Sequence, residues 1–340
     1  MSAEARPRTR EERRAAARLW AIAGLLLAGA VVSAAIGRYP GPFLTPPAAF
    51  LHDELARNLV LNLRVPRILA ALLLGATLGG AGAVLQMVFR NPLVDSGFLG
   101  VSPGAAFGAS LAIVFLGGAP ATVQGSAAAF ALLGMAASYL IAQRIRFGDW
   151  VLRLVLAGII VSATLSSATG TVKYLADPLQ QLPDITFWML GGLWGITWRD
   201  VLHMLPVVLP CLAVIYLMRW RLNVLSLRDE TAFSLGVAPG RERLVVVVAA
   251  VAATAAVVSK AGQVGWVGLI VPHIARRLVG SDARRALPAS MLLGTLFVLA
   301  CDDVARTLLN GEIPLGLLTS FVGALFFLGV VLRRQPVVRS

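Results

Sequence analysis

Charge is what this sequence has least of. Only 14% of its residues are charged, against 58% hydrophobic, and aromatics make up 7%. That balance lies far outside the range of a water-soluble domain. Histidine occurs three times and cysteine twice. His52, His203 and His273 have no metal-ligand spacing, and His273 reads as a structural side chain near a helix break. Cys211 and Cys301 fall inside apolar runs, so they read as small packing residues and imply no disulfide or metal framework. No G-x-x-x-x-G-K-S/T or H-E-x-x-H occurs. The signatures of a phosphate-binding loop and a zinc peptidase are therefore missing. Carboxylates inside the apolar runs are also scarce, with Asp302 and Asp303 close to an end. Ion-driven carriers usually need such groups as coupling sites, which argues against a secondary transporter.

What the chain does have is apolar length. Several runs reach the ~20 residues that cross a bilayer, so the expected fold class is an all-α polytopic membrane protein. The pattern predicts about ten spans in one domain, residues 19–335, behind a basic arm at 1–18. They lie near 19–37, 66–89, 104–117, 121–142, 151–175, 201–218, 244–258, 266–275, 287–305 and 315–332. The first follows six arginines without a convincing cleavage site and reads as a retained span. The net charge of +13 does not point to nucleic acid, because the arginines fall between apolar runs. With both termini inside, about 22 Lys and Arg fall on the cytoplasmic side and about 8 outside, as the positive-inside rule requires.

Two stretches stand out. In the second span Ala71, Gly75 and Gly79 recur at four-residue spacing, giving one face that another helix can approach closely. Residues 176–197 are too apolar for a free loop and too short for a span. They are expected to form a short helix dipping back at the outer face, with irregular backbone buried or lining a cavity.

The largest charged island, residues 219–243, separates two long apolar runs. Ser226 with Asp229 suggests a capping box and a short helix starting there. Asp229 and Glu230 suit its first turn. Gly236 supplies a stop and Pro239 prevents continuation. Leu227, Ala232, Phe233 and Leu235 give this helix apolar surface, offered either to a partner protein or to the lipid surface.

Four sets of motifs resemble one family. They are Arg64-Val-Pro66-Arg67 before the glycine-rich span; Gln86 to Arg90-Asn91-Pro92-Leu93 with Leu99-Gly100-Val-Ser-Pro-Gly104; the island with Asp229-Glu230-x-Ala232-x-x-Leu235-Gly236; and a C-terminal set. That set comprises Gly265-x-x-Gly268-Leu269-Ile270-x-Pro272-His273-x-x-Arg276, Gly280-x-Asp282, Asp302-x-x-Ala305-Arg306 and Glu312-x-Pro314-x-Gly316. In this order they are similar to the permease subunits of binding-protein-dependent ABC importers for iron-siderophores, haem and cobalamin, the FecCD type.

The resemblance implies a homodimer of ten-helix subunits (type II ABC importer permease architecture) in the bacterial inner membrane, with N and C termini cytoplasmic. It implies two cytoplasmic P-loop ATPase subunits, a periplasmic substrate-binding protein, no cofactor and no enzyme activity of its own. It assigns ATPase coupling to Ser226, Arg228, Asp229, Glu230, Ala232, Phe233, Leu235 and Gly236. It assigns docking of the binding protein to Arg64, Arg67 and Arg306, and path lining to Phe187, Trp188, Leu190, Gly191 and Leu193. Arginines outside run against the positive-inside trend, and pairing with a docked protein's carboxylates or anchoring to lipid headgroups would each account for them. Arg228, Ser96 and Leu325 depart from the family pattern, which has Gly, Pro and Pro there; the first bears on the choice of ATPase. The alternative is a secondary carrier or exporter of a small organic or metal-complex substrate.

Overall fold

A computed structural model describes residues 10–37, 39, 44–46 and 52–332. The start of the basic arm, much of the proline-rich 38–51 segment and the C-terminal arginines lie outside these residues. Fourteen α-helices are described: α1 Arg10–Ala35, α2 Glu54–Leu59, α3 Val65–Val88, α4 Val101–Phe115, α5 Pro120–Arg144, α6 Trp150–Leu175, α7 Gln181–Leu190, α8 Trp198–Leu217, α9 Arg219–Leu225, α10 Asp229–Ser234, α11 Pro239–Ala261, α12 Val267–Val279, α13 Ala283–Thr307 and α14 Leu315–Leu332. A π-helical turn at Val60–Arg64 joins α2 to α3.

Ten of these helices fall where the ten apolar runs were expected. Seven segments are long and apolar enough to cross a membrane: α1, the continuous run from α2 through α3, α5, α6, α8, α11 and α13. The rest of the expected set, α4, α12 and α14, are shorter. The first helix begins nine residues ahead of the expected span at Leu19. Arg, Glu and Ala are strong helix formers, and Glu11 and Glu12 sit in its first turn. The later part of the basic arm is thus continuous with the apolar helix.

The core is built around α3, which packs against α13, α11 and α12. Small residues make this possible. A Cβ added at Gly75 would collide with the Gly294 carbonyl oxygen, one at Gly79 with that of Ser290, and one at Gly82 with that of Gly268. The spacing seen in the sequence is therefore the α3–α13 contact itself, where backbones meet without side chains between them. A second group, α4, α5 and α6, packs alongside.

The bundle has two polar ends. Arg67 at the start of α3 meets Asp302 near the end of α13. At the other end of the same helices, Gln86 of α3 meets Arg276 of α12, and Asn223 of α9 meets Asp282 just before α13. The arginine end and the 219–243 end are thus opposite.

Candidate functional site

The 219–243 segment forms two short helices and two turns. Gly236 has φ +77°, a conformation that costs glycine little. Its N–H donates to the Phe233 carbonyl and that of Val237 to the Ala232 carbonyl, closing α10 with a complete Schellman motif. Pro239 then opens α11. The start of α10 differs from expectation. Ser226 is not its N-cap. Its hydroxyl donates to the Asn223 carbonyl at 2.7 Å and so closes α9 instead. Arg228, in extended conformation, precedes α10 without a side-chain cap. The Asp229 carboxylate cannot complete a capping box because Arg243 holds it at 2.6 Å.

Arg243 is the anchor that sequence reading passed over. Its guanidinium is 1% exposed, yet it also donates to the carbonyls of Leu225 at 2.9 Å and Leu227 at 3.4 Å. One side chain from α11 thereby ties down the end of α9, the turn and the start of α10. At the other edge Asn223 donates to Asp282 at 2.8 Å and accepts from the Ala283 N–H at 2.8 Å. Burial disfavours the charged form of Asp282, but bonds from the Arg284 side chain, Asn223 and the Arg284 backbone outweigh it. The carboxyl is held down to about 2. On this frame Ala232 is buried, while Phe233 is 75% and Leu235 60% exposed. Leu227, Arg228, Asp229 and Glu230 are exposed as well.

At the opposite end Arg64, Arg67 and Arg306 line one cleft of about 490 Å³. They are more committed to their own chain than the sequence suggested. Arg67 meets Asp302 through Nε and Nη2 at 2.9–3.1 Å, and both Glu312 oxygens through Nη1 at 2.8 and 2.9 Å. Arg306 donates to Ile36 and Ser33 at the end of α1 and pairs with Asp303. Arg64 differs. Its described partners are neutral: the Ala34 carbonyl at 3.1 Å, the Thr45 hydroxyl at 2.7 Å and the Tyr39 carbonyl at 3.3 Å. The available signal was the triad Asp302, Asp303 and Glu312, which lies close to Arg306 in sequence.

The residues assigned to path lining do not share one face. Phe187 is exposed and Trp188 half-buried on α7. Leu190 lines a cavity of about 410 Å³ with Gln263, Trp266 and Ser320. Leu193 is buried beneath the arginine cleft. Gly191, with φ +68°, packs against the backbone of residue 263.

The model of the FecCD transport family matches residues 25–334. The chain belongs to the FecCD transport family. The molybdate import system permease protein MolB of Haemophilus influenzae is 37% identical over 316 residues, covering 91% of this chain and 93% of that relative. The hemin transport system permease protein HmuU of Yersinia pestis is 37% identical over 279 residues, covering 81% and 83%. Among solved structures, a metal-chelate type ABC transporter in an inward-facing conformation superposes with TM-score 0.86. It shows 36% identity and covers 94% of this chain and all of that one. The relatives of this FecCD chain are thus ABC permeases, and its all-helical fold is theirs.

Proposed function

We propose that the chain is the membrane-spanning permease subunit of a binding-protein-dependent ABC importer. It works as a homodimer of ten-span subunits, with two cytoplasmic ATPase subunits and one periplasmic binding protein. The cargo is a metal chelate: an iron-siderophore, haem or cobalamin. ATP is hydrolysed in the partner, and this chain supplies the path.

The observation that carries this reading is the 219–243 segment. A six-residue helix has too little hydrogen bonding to hold itself together. Here a buried arginine, a Schellman motif and the Asn223–Asp282 link hold it while it presents Phe233 and Leu235 to the surroundings. A rigidly mounted apolar knob suits the helix-in-groove mode of docking. The positive-inside bias supports a cytoplasmic position for this end, and hence an outer position for the arginine cleft. There Arg64, with only neutral partners among the described residues, is the charge best placed to meet an incoming carboxylate. Exposed Thr164, Ser167 and Thr171 on α6 favour a second copy or a water-lined path over lipid on that face.

Mild-detergent purification of the tagged chain from its native membrane tests the class. A P-loop ATPase should come down at one copy per permease. A chain recovered alone would overturn the proposal. Metal analysis and absorbance of a co-purifying binding protein would separate iron chelate, haem, corrinoid and molybdate.

A further inference from the structure

We propose that Glu312 is an internal stand-in for the docking partner's carboxylate, and that docking displaces it from Arg67. The inference rests on the docking reading above and deepens it.

The argument starts from charge pairing at the arginine end. Asp302 is 0% exposed between Arg67 and Arg306, and Asp303 lies within the same helix beside Arg306. Neither can leave without moving α13. Glu312 sits on the connection from α13 to α14, and its side chain is 41% exposed. Both its oxygens rest on one nitrogen of Arg67, the Nη1, while Nε and Nη2 stay with Asp302. Glu312 and Arg67 both line the cleft that also holds Arg64 and Arg306. Glu312 is therefore a half-exposed carboxylate on an arginine whose other side is fixed from within. A partner carboxylate steered in by Arg64 would compete for that one nitrogen. Arg67 would keep its buried partner throughout and never be left unpaired, so the exchange avoids the penalty of an orphaned buried charge.

The exchange also has somewhere to go. The Ile313 N–H, one residue on, donates to the Ala305 carbonyl, and Gly316 three residues later packs against the backbone at Leu190 and Gln263. Freeing Glu312 loosens the segment that feeds this junction beside the cavity. Docking outside would thus reach α14 and the loops around it through one released carboxylate.

The test uses the whole transporter with its ATPase, in lipid nanodiscs, and the binding protein recovered with it. Docking affinity is measured for the native chain, Glu312→Gln and Arg64→Glu. Glu312→Gln removes the competing charge and should tighten docking about fivefold at low salt. The gain should shrink as salt rises. Arg64→Glu should weaken docking at least about tenfold. If Arg64→Glu weakens docking while Glu312→Gln leaves it unchanged or weaker, the stand-in is overturned and the docking surface stands. If Arg64→Glu has no effect, the docking surface itself falls. Should Glu312→Gln fail to assemble, hydrogen exchange of the native chain decides. Amides of residues 309–316 should exchange faster when the binding protein docks, and unchanged or slower exchange counts against displacement.

Discussion

At the scale of single residues, the two ends of the bundle use arginine in different ways. Arg243 is buried against two carbonyls and one exposed carboxylate. Its removal leaves the Leu225 carbonyl without this donor, at a cost of about 1–3 kcal/mol. The loss should be local. Arg243→Ala is expected to speed proteolysis within residues 226–236 several-fold while shifting the melting of the bundle little. Equal loss at both would mean that Arg243 supports the whole fold. Asp302 is the opposite case, because it answers two arginines from a fully buried position. Asp302→Ala should destabilise the protein by about 3–5 kcal/mol, the range for a broken buried pair. Thermal unfolding in detergent would read this directly. Asp282 gives a pH prediction. Its carboxyl is held below its ordinary value, so its stabilising contribution is complete above pH 4 and disappears as pH falls through about 2. The stability advantage of the native chain over Asp282→Ala should therefore shrink across that window and stay flat above it.

At the scale of elements, the spans were the most legible part of the sequence and the ends of short helices the least. Apolar length is a summed signal, and a bilayer core demands it whatever else the chain does. The four-residue spacing of Ala71, Gly75 and Gly79 also translated directly, because close helix contact needs small residues on one face. Gly79→Leu should disrupt α3–α13 packing enough to lower the yield of folded protein, whereas Gly24→Leu, in open space on α1, should be tolerated. The capping box failed for a physical reason. Ser226 had a nearer carbonyl to bond, and Asp229 had an arginine fourteen positions away, which local pattern does not reveal. Arg64, Arg67 and Arg306 do line one cleft, but their partners come from α1 and the segment after it, and from α13 and the loop after it. Only folding brings these together. Phe233 remains an element-scale prediction: Phe233→Asp should cut ATPase association at least about tenfold, as loss of an aromatic anchor does. Its exposure means thermal stability should barely change.

At the scale of the whole molecule, the polar networks lie at opposite ends of a common apolar core. On the proposed function, uptake by the assembled transporter should require ATP and persist when the ion gradient is collapsed. Gradient-dependent uptake without ATP would return the chain to the carrier reading. Between the two ends lies the meeting of residues 191, 262 and 316. A Cβ at any of the three would strike a neighbouring carbonyl, and the Gly192 N–H bonds the Ala261 carbonyl at 2.8 Å. Three distant parts of the chain thus touch backbone to backbone. A joint of that kind is held by backbone alone and has almost no side-chain rotamers to order. Any residue larger than glycine at these positions would force the three segments apart.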